Sequence, residues 1–107
     1  MMDFEEIRSY LLNMPAAVED FPFDTSTLVL KVEGKMFALL GIKNDPLRVN
    51  LKCDPFKAEI LRERYSAVLP GYHMNKRHWN TVVLDGSVPE AELLEMIDES
   101  YRLVVKG

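Results

Sequence analysis

The residues best equipped for chemistry fall together between Pro70 and Thr81. That stretch holds both histidines (His73 and His78), the one tryptophan (Trp79), the adjacent cations Lys76 and Arg77, and Tyr72, Asn75 and Asn80. Lys76 is a point charge and Arg77 a planar fork, and both suit phosphate oxygens. Tyr72 and Trp79 offer flat faces on which a base can stack. Asn75 and Asn80, with His73 and His78, carry donors and acceptors of the kind that read base edges or sugars. A purely structural role competes: Trp79 packs on a sheet, the asparagines hold a turn, and the cations are simply solvated.

For these side chains to act together, the rest of the chain must bring more positive charge to them. The chain carries a formal net charge of -4, which weighs against a tight polyanion binder. The distribution is uneven, however. Residues 1–30 have a net charge of -5, residues 31–80 a net charge of +5, and residues 81–107 a net charge of -4. A basic middle thus lies between acidic ends. Lys31, Arg48, Asn50 and Lys52 occupy the outward phase of alternating segments and are expected on one polar sheet face. Their commoner role is to solubilise that face.

The elements that would position them are legible from periodicity. Asp3 with Glu6 forms a capping box, and Phe4, Ile7, Leu11 and Met14 follow at helical spacing until Pro15. Residues 15–26 read as an ordered loop whose aromatics, Phe21 and Phe23, plug the edge of the core. Strands are expected over residues 27–33, 36–42 and 47–53, with Leu28, Leu30 and Val32, then Leu47, Val49, Leu51 and Cys53, facing inward. Asp54 and Pro55 start a second helix that buries Phe56, Ile60 and Leu61. Trp79 to Leu84 is a strand. A short strand between residues 67 and 75 precedes it and pairs with residues 76–78. Ser87 and Glu90 bracket a cap, and the last helix runs to about Val105 with Leu94, Ile97, Tyr101 and Val104 as its stripe. The order α-β-β-β-α-β-β-α gives an α+β two-layer sandwich: an antiparallel sheet with helices on one face and the other face open wholly or partly to water. All 107 residues are expected to form one domain.

Several chemistries find little support. The single cysteine, Cys53, has no partner for a disulfide or a cysteine zinc site and reads as a small core residue rather than a nucleophile. His73 and His78 have no third ligand at a recognised spacing, so no metal is expected. No glycine-rich phosphate loop, G-x-S-x-G or H-E-x-x-H occurs, and no catalytic residue or cofactor is assigned. No apolar run approaches the ~20 residues that span a bilayer. The acidic start is unlike a signal peptide, so a cytoplasmic protein is expected.

The chain resembles the YjbR/MmcQ-like family of small bacterial proteins almost end to end. The resemblance rests on Glu19-Asp20-Phe21-Pro22-Phe23, Lys35-Met36-Phe37-Ala38-Leu39, Asn50-Leu51-Lys52-Cys53-Asp54-Pro55, Leu84-Asp85-Gly86 and the closing helix through Ser100-Tyr101. Its most specific part is the thirteen-residue run from Pro70 to Val82. The resemblance implies a CyaY-like, secretion-chaperone-like fold and carries the family's DNA-binding "double wing" label. Three functions are therefore set against one another. The first is a DNA-binding module using Lys31, Arg48, Lys52, Lys76 and Arg77 on phosphates. The second is a non-enzymatic protein-interaction or chaperone-like module whose open sheet face takes a protein partner. The third, ranked last, is a small-ligand or catalytic site around His73, His78 and Asn75.

Overall fold

The computed structural model describes residues 2–106. Helix α1 spans Phe4–Leu12, and the reciprocal Asp3–Glu6 capping box closes its N-terminus. Strands β1 (Val18–Asp20), β2 (Thr27–Val32), β3 (Lys35–Gly41) and β4 (Arg48–Lys52) follow, then α2 (Pro55–Arg64), β5 (Val68–Pro70), β6 (Trp79–Val83) and α3 (Glu90–Lys106). The six strands form one antiparallel sheet in the order β1-β2-β3-β4-β6-β5. The α+β architecture with helices on one face is as the alternation implies. Among the described residues, no helix is long and apolar enough to cross a membrane.

Alternation assigns the two faces. Leu28, Leu30, Val32, Leu40, Val49, Leu51 and Val82 point to the helices and join Ile7, Leu11, Leu93, Ile97 and Val104 in the main core. Val29, Leu39 and Trp79 point the other way and form a second, smaller cluster.

Five local expectations are corrected. Residues 18–20 are not loop: β1 adds to the edge of β2, pairing Val18 with Lys31 and Asp20 with Val29. Three residues, Val18-Glu19-Asp20, are too few to show a periodicity. Phe21 and Phe23 do not plug the core but lie exposed just beyond β1. On α2, Phe56 is 74% exposed and Ile60 38%, while Ala58 is the one buried residue. The small side chain lets the helix turn its Ala58–Leu61–Arg62 side to the sheet. β5 pairs with residues 80–82 of β6 rather than 76–78, which leaves residues 71–78 free to form a loop. Ser87, finally, is tied to Asp85 through its amide and hydroxyl rather than capping α3.

Ser100, fully buried on α3, fastens this helix to the sheet. Its hydroxyl donates to the Phe37 carbonyl at 2.6 Å and accepts from the Lys52 amide at 2.9 Å. The β3–β4 ladder ends at the Ala38–Leu51 pair, so Ser100 satisfies the next two backbone groups from the helix side. Ser100→Ala strands both groups and is expected to cost about 1–3 kcal/mol, read as a lower midpoint in urea denaturation with an unchanged slope.

Candidate nucleic-acid interface

The loop between β5 and β6 folds back onto the face of the sheet that the helices leave bare. Two side chains on that face hold it. Thr81 Oγ1 accepts from the Tyr72 amide at 2.9 Å and donates to Asn50 Oδ1, while Asn50 Nδ2 donates to the Tyr72 carbonyl at 3.2 Å. Asn50 and Thr81 are cross-strand partners on β4 and β6, so the register of those strands builds the clasp. Below it Met74 packs on Val29, Leu39 and Trp79. The loop's own turns are closed by Asn75, whose side chain accepts from the Arg77 amide and whose carbonyl accepts from the His78 amide.

The opposite side is pinned from α2. Arg62 Nε donates to Asn80 Oδ1 at 2.7 Å, and its terminal nitrogen donates to the carbonyls of Trp79 (3.2 Å) and Lys76. At the loop's entrance Gly71 lies so close to Trp79 that a Cβ there would come within 2.7 Å of the Trp79 Cβ and 2.9 Å of its carbonyl oxygen. Only glycine fits such an approach. His73 adopts a left-handed backbone (φ 59°), which turns the chain at the loop's tip, where the Tyr72 and His73 rings lie 4.0 Å apart.

The twelve residues singled out from the sequence divide on this frame. Tyr72, His73, Lys76, Arg77 and His78 are exposed on the loop. Lys52 joins them, because it pairs with Trp79 at the strand end that feeds the loop, and the next residue, Cys53, donates its amide to the His78 carbonyl. Arg48 is on the same strand but four residues away, about 13 Å at ~3.3 Å per residue. Among the described residues, no carboxylate lies within 4.0 Å of the charged nitrogens of Arg48, Lys52, Lys76 or Arg77.

The remaining five are engaged within the fold, Trp79 and Asn75 in the structural roles that competed with ligand contact. Lys31 is not a free cation: its ammonium meets Asp20 at 2.9 Å, a pairing that exists because β1 is a strand. Asn80 is 3% exposed and faces α2, where it holds Arg62 and the Ala58 carbonyl. Trp79 is 9% exposed and packs in the small cluster. Asn50 and Asn75 spend their amides on the loop backbone. Arg62 and Thr81, which the sequence reading passed over, prove to be what holds the loop. The spacing of a helix arginine gives no sign of a contact with a segment some 15 residues on.

The Cys53 thiol is buried, and that burial, followed by the nearby Asp54 carboxylate, raises its pKa. A raised thiol pKa keeps the sulfur protonated near neutrality, the reverse of an activated nucleophile. Neither histidine lines the groove that Cys53 faces.

The YjbR family model matches residues 12–103. The chain belongs to the YjbR family. The Escherichia coli K12 protein YjbR is 38% identical over 105 residues, which is 97% of this chain and 88% of that protein. Among solved structures, a Deinococcus radiodurans protein with a DUF419 domain superposes with a TM-score of 0.94 at 46% identity. That match covers 99% of this chain and 80% of the other. A Pseudomonas syringae protein gives a TM-score of 0.82 at 28% identity, covering 96% and 99%. These relatives share the chain's family and its fold.

Two outcomes test this geometry. Arg62→Met keeps the length of the side chain but removes its donors. It is expected to cost about 1.5–3 kcal/mol and to speed amide exchange across residues 72–78. Cys53 in the folded protein should react with iodoacetamide at pH 8 at least about tenfold more slowly than a cysteine in a free peptide, and unfolding in urea should erase the difference. The thiol's contribution to stability is complete below its unfolded pKa and is lost as pH rises through the higher folded value.

Proposed function

We propose that this YjbR-family chain is a non-enzymatic nucleic-acid-binding module, with DNA as the expected ligand. Its contact surface is the β5–β6 loop together with the adjoining end of β4. The observation that carries this reading is the set of cations without acidic partners, Lys52, Lys76 and Arg77, gathered at one end of the bare sheet face, with Arg48 further along β4. By contrast, the acids of α1 and α3 belong to the helical layer, so the overall charge of -4 does not describe this face. Exposed Tyr72 and His73 supply rings beside the charges, and stacking on such rings tolerates any base sequence. The family's DNA-binding label points the same way. The surface is smaller than the sequence suggested, since Lys31 is paired and Asn80 faces the helices. Low affinity and strong salt dependence follow.

A second reading, a protein-interaction module, draws on a different place. Val18, Phe21 and Phe23 are 56%, 47% and 63% exposed along and just beyond the edge strand β1, and an unpaired strand edge flanked by apolar side chains can accept a further strand. The bare sheet face is less suited to this, because the loop already covers part of it.

The test is a fluorescence-anisotropy titration of a labelled duplex across a series of salt concentrations. Log affinity should fall with log salt by about 0.9 per neutralised phosphate. Lys76→Ala/Arg77→Ala should weaken binding and flatten that slope by about two phosphates' worth, while the charge-matched Arg102→Ala/Lys106→Ala on α3 should leave both unchanged. Binding that is absent at low salt, or indifferent to the loop variant, defeats the first reading. Partners that survive nuclease treatment but are lost on Phe21→Ser/Phe23→Ser favour the second.

A further inference from the structure

The two later helices do not close against each other. α3 packs over β2, β3 and β4, and α2 over β5 and β6, so a seam runs above the β4–β6 pair. There the structure holds a groove of about 290 Å³ with Leu51 and Val82 of the sheet beneath it, Ile60 and Leu61 of α2 on one side, Met96 of α3 on the other, and Cys53 at its edge. Protein interiors seldom leave voids much larger than a water molecule, and this volume is close to the lower end of the roughly 300–1,000 Å³ usual for small-ligand sites.

The groove is bounded at both ends. Lys57 of α2 meets Glu99 of α3 at 3.8 Å, and Arg64 of α2 meets Glu92 of α3 at 3.6 Å. Tyr65 also donates to Glu92, at 3.0 Å. On each helix the paired residues are seven apart, which places the two bridges about 10 Å from each other at ~1.5 Å rise per residue. A through-running peptide or helix would have to break both bridges, whereas a short molecule can lie between them.

We infer that this groove is a binding site for a small, uncharged, largely apolar molecule, of the size of one or two fused rings or a short hydrocarbon chain. Size follows from the volume and the spacing of the bridges. Lack of charge follows from the rim: Lys57, Arg64, Glu92 and Glu99 are already matched across the seam, Glu95 is matched with Arg102 at 3.2 Å, and Lys52, which also borders the groove, is in the outward phase of β4 with Asn50, on the other face of the sheet. A charged ligand would displace one of these partners or lie desolvated beside a like charge. Apolarity follows from the lining. Its one buried amide, Asn80, is committed to Arg62 and Ala58. Every buried side-chain nitrogen and oxygen among the described residues has a hydrogen-bond partner, so none awaits a polar ligand. The site is on the helical side of the sheet and stands or falls separately from the loop's affinity for nucleic acid.

The experiment is a titration of the full chain with the neutral probe N-phenyl-1-naphthylamine, followed by its emission. A saturable, blue-shifted rise with one site per chain is expected. Met96→Trp, which fills the α3 side, should weaken it by about tenfold or more. Ile60→Trp, at the half-exposed margin where folding is not at risk, should weaken it in the same direction. Lys76→Ala/Arg77→Ala should leave it unchanged. Saturating probe should also slow alkylation of Cys53. No saturable rise, or an affinity that neither tryptophan variant changes from that of the parent chain, overturns the proposal. Tighter binding of the anionic probe 8-anilinonaphthalene-1-sulfonate than of the neutral one overturns the assignment of ligand class.

Discussion

The hydrogen-bonded pair of Asn50 and Thr81 is the constraint on which the exposed chemistry of this protein depends. These two side chains come from neighbouring strands and point away from the helices, and between them they satisfy both backbone groups of Tyr72. A loop has no ladder of its own, and its backbone groups must find partners or water. Here the partners are on the sheet, so residues 71–78 lie against it instead of projecting into solvent. Met74 can then cover Val29, Leu39 and Trp79, which turns an otherwise bare apolar patch into a second small core. The side chains left pointing outward, Tyr72, His73, Lys76, Arg77 and His78, are those with no part in this anchoring.

This arrangement separates charge between the two layers of the fold. The acids of α1 and α3 are engaged or solvated in the helical layer, as in the Arg8–Glu5 and Arg102–Glu99 pairs. On the other side β1 brings Asp20 to Lys31 and neutralises that end of the sheet. What remains positive is concentrated toward the loop. Net charge is thus a poor guide to the field at a given surface, since screening at physiological salt leaves a group ~8 Å away largely unfelt.

Most of the architecture was legible from sequence because it follows from local chemistry. The Asp3–Glu6 box, Asp54 followed by Pro55, and the strict alternation from Leu47 to Cys53 each specify an element without reference to the rest of the chain. The failures share a cause. β1 is three residues long and exists by pairing with β2. Phe56 and Ile60 look like a buried stripe, yet Ala58 sets the rotation of α2. Asn80 is adjacent in sequence to Trp79 and the loop, yet in a strand adjacent residues face opposite sides. The phase that turns Asn50 outward on β4, carried across the pairing to β6, sends Thr81 outward and Asn80 inward.

Asn80 is also where the two candidate sites meet. Its amide forms part of the wall of the α2–α3 groove, and its Oδ1 accepts from the same Arg62 that holds the carbonyls of Trp79 and Lys76. The sheet separates the groove from the loop, but this one side-chain contact passes around its edge through α2. Cys53 makes a second link, since it too borders the groove and its amide donates to the His78 carbonyl. A molecule that left Asn80 and Cys53 undisturbed would be invisible to the loop. One that shifted Asn80 would act on Arg62, and through Arg62 on the backbone carrying Lys76 and Arg77. Any such influence is reciprocal, since a coupling free energy is the same whichever site is filled first. The loop and the groove are thus joined through two short contacts, Asn80 with the arginine it holds and Cys53 with the His78 carbonyl.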